Sequence, residues 1–139
     1  MRRLRCYAAH PSGGDFSPPA QPCFMHMDIP RWNLMARNDH GQWTLSGPLD
    51  FGDAIVGHCD LFELPTPLIF MAQGNPLLAT ALLDAYGVRG GGDAAILGRR
   101  LMAAALIWPD CDRGVCRQQV PVGGSRGTGE RIALQMFPV

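Results

Sequence analysis

Apolar and polar positions change their period part-way along this 139-residue chain. Up to about residue 57 the apolar positions come in short runs. Cys23-Phe24-Met25 reads as a buried strand. Leu34-Met35-Ala36-Arg37 and Gln42-Trp43-Thr44-Leu45 flank Asn38-Asp39-His40-Gly41, whose residues favour a turn, so the segment predicts a β-hairpin. Gly47-Pro48 weakens the second strand near its end. Beyond residue 60 the spacing is helical. Thr66-Pro67 predicts the cap and first turn of a helix over Leu68–Gln73, ended by Gly74. Asn75-Pro76 repeats the signal before a helix over Leu77–Tyr86, with Leu78, Ala81, Leu82 and Ala85 on one face and Gly87 as its end. Gly90-Gly91-Gly92 reads as a joint. Asp93 caps a helix to about Trp108, stopped by Pro109, with Leu97, Leu101, Ala104, Ala105 and Trp108 among its apolar positions. Residues 110–127 read as loop, and Thr128 starts a last short helix through Phe137. The first 22 residues, with Pro11-Ser12-Gly13-Gly14 and Ser17-Pro18-Pro19, read as irregular.

This order is strand, loop, hairpin, turn, then helices, an α+β chain of one domain. Composition changes the picture little. An apolar content of 47% suffices for a hydrophobic core. Net charge is +0, which gives no reason to expect a nucleic-acid or acidic-membrane partner. No apolar run approaches the roughly 18 residues that a membrane helix needs; Leu61–Ala72 is broken by Glu63, Pro65 and Pro67. The start, Met1-Arg2-Arg3-Leu4-Arg5, is basic without a following apolar stretch, and the five cysteines are irregularly spaced. Together they predict a reducing, cytoplasmic setting with free thiols. The alternative use of Cys59, Cys111, Cys116 and His58 as a metal or redox centre lacks the tighter paired spacing of structural zinc sites.

Two motifs carry chemistry. His26-Met27-Asp28 through Asn33 has the spacing H-x-D-x-x-x-x-N. Asp50-Phe51-Gly52 follows one hairpin later. In kinases, motifs of these two kinds hold the catalytic base and two metal-binding side chains. Asp28 is the candidate to accept a hydroxyl proton. Asn33 and Asp50 offer hard oxygens to Mg²⁺. His26 shapes the loop by hydrogen bonds. Each feature also has an ordinary structural explanation: an Asp–Asn turn, a common tripeptide, a hydrogen-bonded histidine, Asp53 capping the next turn, Arg31 and Trp32 as surface or packing residues. The joint pattern, with a hairpin between its halves, favours the chemical one.

The stretch from about Pro19 to Phe137 resembles the C-terminal part of the aminoglycoside phosphotransferase family, which has a protein-kinase-like fold. The family loop H-G-D-x-x-x-x-N appears as His26-Met27-Asp28 through Asn33, and its I-D-F/W-G/E-x-A segment as Leu49-Asp50-Phe51-Gly52-Asp53-Ala54. Leu82-Leu83-Asp84-Ala85-Tyr86-Gly87 and Arg99-Arg100-Leu101-Met102-Ala103 look like family helical segments. Met27 replaces the usual glycine, Pro48 sits where a β-branched residue is usual, and the G-D-P-x-x-D-L block reads Gly57-His58-Cys59-Asp60-Leu61-Phe62-Glu63-Leu64, where Glu63 stands for the acidic residue.

The resemblance implies an ATP-dependent O-phosphotransferase acting on a small-molecule hydroxyl. It implies Asp28 as base, His26 as loop residue, Asn33 and Asp50 as cofactor and Mg²⁺ ligands, and ATP and Mg²⁺ as cofactors. It divides the chain into an irregular segment 1–22 and a C-terminal lobe 23–139, with the catalytic loop and hairpin at 23–54 and a helical subdomain at 60–139. The N-terminal nucleotide-binding lobe is expected to be absent, because 25 residues precede His26 and the chain contains no lysine. That leaves an alternative: an inactive remnant, or half of a split enzyme that dimerises through its open cleft or pairs with a separate first-lobe polypeptide. Asp60, Glu63 and Asp84 are either contacts for a cationic acceptor or solvated surface groups.

Overall fold

The computed structural model describes residues 22–88, 94–108, 112–120 and 129–138. The expectations for the first 21 residues, the Gly90-Gly91-Gly92 joint, the Asp93 cap, Cys111 and Thr128 fall outside them. The architecture is mixed α+β: two small antiparallel sheets lie at one end of the described chain order and five helices follow. Strand β1 (Cys23–Met25) pairs with β4 (Ile55–Gly57), Phe24 opposite Val56. Strand β2 (Leu34–Asp39) pairs with β3 (Gln42–Pro48), with a register shift between Met35 and Ala36. The second pair is the expected hairpin, longer than its apolar run suggests. His40 and Gly41 form its two-residue turn at φ 54° and 90°. Positive φ at both positions is the geometry that matches strand twist in tight hairpins. The Asn38 carboxamide accepts the Gly41 N–H at 2.8 Å and holds the turn. Pro48 is tolerated because it lies at the strand's last position. Strand β4 has no sequence signal beyond Ile55-Val56, and its pairing with β1 arises only when the chain returns.

The helical part begins with a 3₁₀ turn (Asp60–Glu63), then α1 (Pro65–Pro67), which runs directly into a π-helical stretch (Leu68–Ala72). The helix thus starts earlier than the Thr66-Pro67 signal predicts. Pro65 takes the first helical position, where a missing N–H costs nothing, and Thr66 is inside the helix with its hydroxyl bonded elsewhere. Gln73 and Gly74, both left-handed at φ 51° and 77°, end it. Helix α2 (Pro76–Tyr86) is capped by Asn75, whose side chain accepts from Leu77 and Leu78 N–H, and is closed by Gly87 at φ 91°. Both ends agree with the sequence. The buried face does not: it is built on Ala79 and Leu83, with Leu82 and Tyr86 at its margin, while Leu78 is exposed. Helix α3 (Ala94–Ile107) buries Leu101, Ala104 and Ala105 as its spacing predicts. Helix α4 (Arg113–Gln119) occupies part of the expected 110–127 loop. Asp112 caps it, accepting from Gly114 and Val115 N–H at 2.7 and 3.2 Å. Helix α5 is Gly129–Met136.

The main core cluster lies among these helices, with Met25 of β1 and Met27 buried as well. Leu61, Leu64, Leu68, Ile69, Leu101, Val120 and Phe137 are its largest closed side chains. The hairpin stands outside it, with Trp43 and Leu45 about 70% exposed. Among the described residues no helix is long and apolar enough to cross a membrane.

Candidate functional site

The H-x-D-x-x-x-x-N loop leaves β1 at Met25 and runs over the first turns of the helical core. Its geometry is set at Met27, which adopts the left-handed φ of 70° although it carries a side chain. That backbone is uncommon for a residue other than glycine and persists only where the surroundings hold it. Two side chains do so. The Glu63 carboxylate accepts the Met27 N–H at 2.9 Å, and the Thr66 hydroxyl donates to the Met27 carbonyl at 3.0 Å. Glu63 also accepts from the His26 N–H. Glu63 and Thr66 are themselves buried.

Past Met27, a 3₁₀ turn (Arg31–Asn33) carries the chain into β2 and buries Asn33. The Asn33 amide donates to the Asp28 carboxylate at 3.0 Å and, more weakly, to the Asp28 carbonyl at 3.3 Å. The Asn33 side-chain oxygen is thereby left as the atom able to act as a ligand. After the hairpin the chain comes back onto the same loop. The Leu49 N–H donates to the Asn33 carbonyl at 2.8 Å, and the Leu49 carbonyl is 2.8 Å from His26 Nε2. Asp50, the next residue, is again left-handed at φ 60°. Phe51 lies against the His26 ring with centroids 4.5 Å apart. His26 is thus a buried tie between the two motifs. Its Nδ1 is buried without a partner among the described residues.

The structure therefore brings Asp28, Asn33, His26 and Asp50 into one place. Asp28 has its carboxyl raised above the ordinary value, first by burial, then by the Asp53 charge. Asn33 and His26 pull the other way, and Asp50 adds a smaller push upward. A carboxylate raised in this way holds a proton more strongly, which suits a group meant to accept one. Glu63 is also raised, by burial, against the stabilising N–H bonds from Met27 and His26.

Asp28 opens on a cleft of about 250 Å³ whose walls include Trp32, Asp53, Phe70, Trp108 and Asp112. Trp32 meets Phe70 edge-on with centroids 5.5 Å apart. Arg31 lies over Trp32 at 5.4 Å and donates to the Phe70 carbonyl at 3.2 Å, tying the loop to the π-helical stretch. The loop motif does not identify these wall residues. Trp32, expected as surface or packing, lines the cleft. Asp53, expected to cap a turn, faces Asp28. Trp108 and Asp112 come from the far end of α3 and the start of α4, some 80 residues away in sequence. Glu63 does have a sequence signal: an acidic residue inside the apolar Leu61–Ile69 stretch is buried only if its charge finds N–H partners. It is neither an acceptor contact nor a solvated group. Asp84 is exposed.

Hard oxygens from Asn33 and Asp50 suit Mg²⁺, which keeps water and substrate phosphates for its remaining positions. No group of three or more His, Cys, Asp or Glu side chains that would hold a metal by themselves occurs among the described residues. The alternative centre of Cys59, Cys111, Cys116 and His58 falls in part outside the described residues, at Cys111, and no such cluster occurs among the described ones. Comparison of the chain with protein-family models, with curated proteins and with solved structures finds no match.

Proposed function

We propose that the chain is the catalytic, C-terminal-lobe portion of a protein-kinase-like phosphotransferase of the aminoglycoside phosphotransferase type, moving the γ-phosphoryl group of ATP to a hydroxyl of a small molecule. The observation that carries this reading is the closure of the two motifs on each other. Asn33 is bonded to Asp28 at 3.0 Å and its carbonyl to Leu49 at 2.8 Å, so that the residue preceding Asp50 is fastened to the residue that would share its metal. The Asn33–Leu49 bond extends the hairpin ladder by one pair beyond Leu34–Pro48; the Asn33–Asp28 bond and the 2.8 Å contact of His26 with the Leu49 carbonyl lie outside that ladder.

In this reading one carboxylate oxygen of Asp28 holds Asn33 while the other faces the cleft and takes the acceptor's hydroxyl proton. Bound Mg²⁺ and ATP supply the phosphoryl group and the neutralisation of its charge. Asn33 and Asp50 would hold the metal through their oxygens. His26 keeps the two motifs in register through the Leu49 carbonyl. The aromatic walls at Trp32, Phe70 and Trp108 would lie beside the acceptor. Nucleotide clamping by a further lobe, from this or another polypeptide, belongs to the same reading, because the only basic side chains besides histidine here are arginines.

The test is Mg²⁺-dependent ATP binding to the purified chain by titration calorimetry. We expect binding that requires Mg²⁺ and is lost in Asp50→Ala. Absence of binding by a folded wild-type chain, or binding unchanged by Asp50→Ala, overturns the proposed metal site; the first result would favour an inactive remnant or half of a split enzyme.

A further inference from the structure

Thr66 has a side chain whose polar atom is out of place for its element. It is fully buried, sits between Pro65 and Pro67, and belongs to the first turn of a helix. Valine would fill the same volume with no polar atom to satisfy. Threonine hydroxyls in helices commonly bond back within the helix; this one donates to the Met27 carbonyl, 39 residues earlier, at 3.0 Å. The two flanking prolines have fixed φ, so the hydroxyl is presented from a stiff support. It holds the peptide unit that follows the Met27 Cα, while Glu63 holds the one that precedes it.

We propose that Thr66 is a positioning residue for the phosphotransfer loop: its hydroxyl, working opposite the Glu63 carboxylate, clamps Met27 in its left-handed conformation and so aims the next residue, Asp28, into the cleft. The proposal rests on Asp28 being the base of the proposed reaction. Glu63 anchors only N–H groups, those of His26 and Met27, which leaves the peptide unit after Met27 free to turn. The second anchor, on the carbonyl, removes that freedom. Because Met27 is not glycine, release of the carbonyl lets φ return to negative values, where side-chain-bearing residues are more stable. Asp28 would then swing, and its bond to Asn33 with it. Neither Glu63 nor Thr66 lines the cleft, so the effect of Thr66 on chemistry is through geometry alone.

The test compares wild type, Thr66→Val and Thr66→Ser as full chains by NMR. In wild type the Thr66 hydroxyl proton should exchange slowly enough to be seen, with a nuclear Overhauser contact to the Met27–Asp28 segment. In Thr66→Val the Met27 and Asp28 amides should exchange about 10-fold faster, while those of α2 and α3 hold their rates; Thr66→Ser should restore the wild-type pattern. With magnesium ATP, the slow hydrolysis of ATP by water serves as the probe of the site. Its kcat should fall about 10-fold in Thr66→Val, with KM for ATP unchanged and serine restoring it. An unobservable hydroxyl proton in wild type overturns the clamp even if the valine variant fails to fold. So does unchanged Met27 exchange in Thr66→Val, or a rise shared equally by every amide, which would mean a merely structural hydroxyl. If wild type neither binds nor hydrolyses ATP, the phosphotransferase reading fails and the catalytic role of Thr66 with it; the exchange comparison then still decides whether the clamp itself exists.

Discussion

At Asp28, one residue carries two opposed demands. A base must be charged to accept a proton, yet burial and the Asp53 charge both disfavour its charged form. Its folded carboxyl binds a proton more readily than the unfolded one. The native state therefore holds more protons than the unfolded state between the ordinary value of 3.8 and the raised one, and stability falls as pH rises through that window. Asp28→Asn removes the penalty. We expect it to raise the melting temperature at pH 7, by roughly 1–2 °C because solvent screens a partly exposed group, and to lose that advantage below about pH 4. The same change should lower phosphotransfer by about 10²–10⁴-fold. Thermal melts across pH beside an activity assay read both effects, and a variant less stable than wild type at pH 7 would contradict the account of Asp28. Glu63 pushes stability in the same direction with pH, because its carboxyl is raised by burial too.

At the scale of elements, local chemistry and tertiary demand part company. Asn75 and Gly87 occupy helix ends whose N–H or carbonyl groups need them, and their residue types announce those ends; Asp112 caps α4 in the same way, within a stretch that reads as loop. The hairpin turn is similar but imperfect. Both turn positions have positive φ, which suits glycine at position 41 and asparagine better than histidine at position 40. His40→Asn should stabilise the hairpin by about 0.3–0.5 kcal/mol. Exchange of the Arg37 and Thr44 amides should slow by roughly twofold, with the melting temperature of the whole chain hardly moved because the hairpin lies outside the core. The Arg37–Asp39 ion pair at 2.7 Å adds little there, both partners being solvent-exposed. Helix α2 shows the opposite case. Its limits follow from its caps, but which stripe is buried is decided by the π-helical stretch packed beside it.

For the whole molecule, the core and the site are joined through one short segment. Leu61, Leu64 and Leu68 enter the core from the same turns that send Glu63 and Thr66 to the loop. Damage to the core should therefore be felt at the site, and damage to the hairpin's exposed face should not. Leu101→Ala, at a side chain with no exposure, should cost about 2–5 kcal/mol in denaturant unfolding. Trp43→Ala, 70% exposed, should stay within roughly 0.5 kcal/mol. Equal effects from the two would mean that the hairpin packs more tightly than its exposure indicates.

The sequence by itself determined the order of strands before helices, α3's buried stripe, the hairpin and the helix caps at Asn75 and Gly87, because these depend on contacts between residues close in the chain. It also singled out Asp28, Asn33, His26 and Asp50, since the spacing of those residue types is a local property. Only the tertiary structure decided the pairing of β1 with β4, the burial of Ala79 and Leu83 over Leu78, the presence of α4, and the tasks of Glu63 and Thr66. Each of these depends on a partner far away along the chain. A carboxylate or hydroxyl has the same local appearance whether it faces water or a peptide 36 or 39 residues earlier, and only folding supplies the peptide.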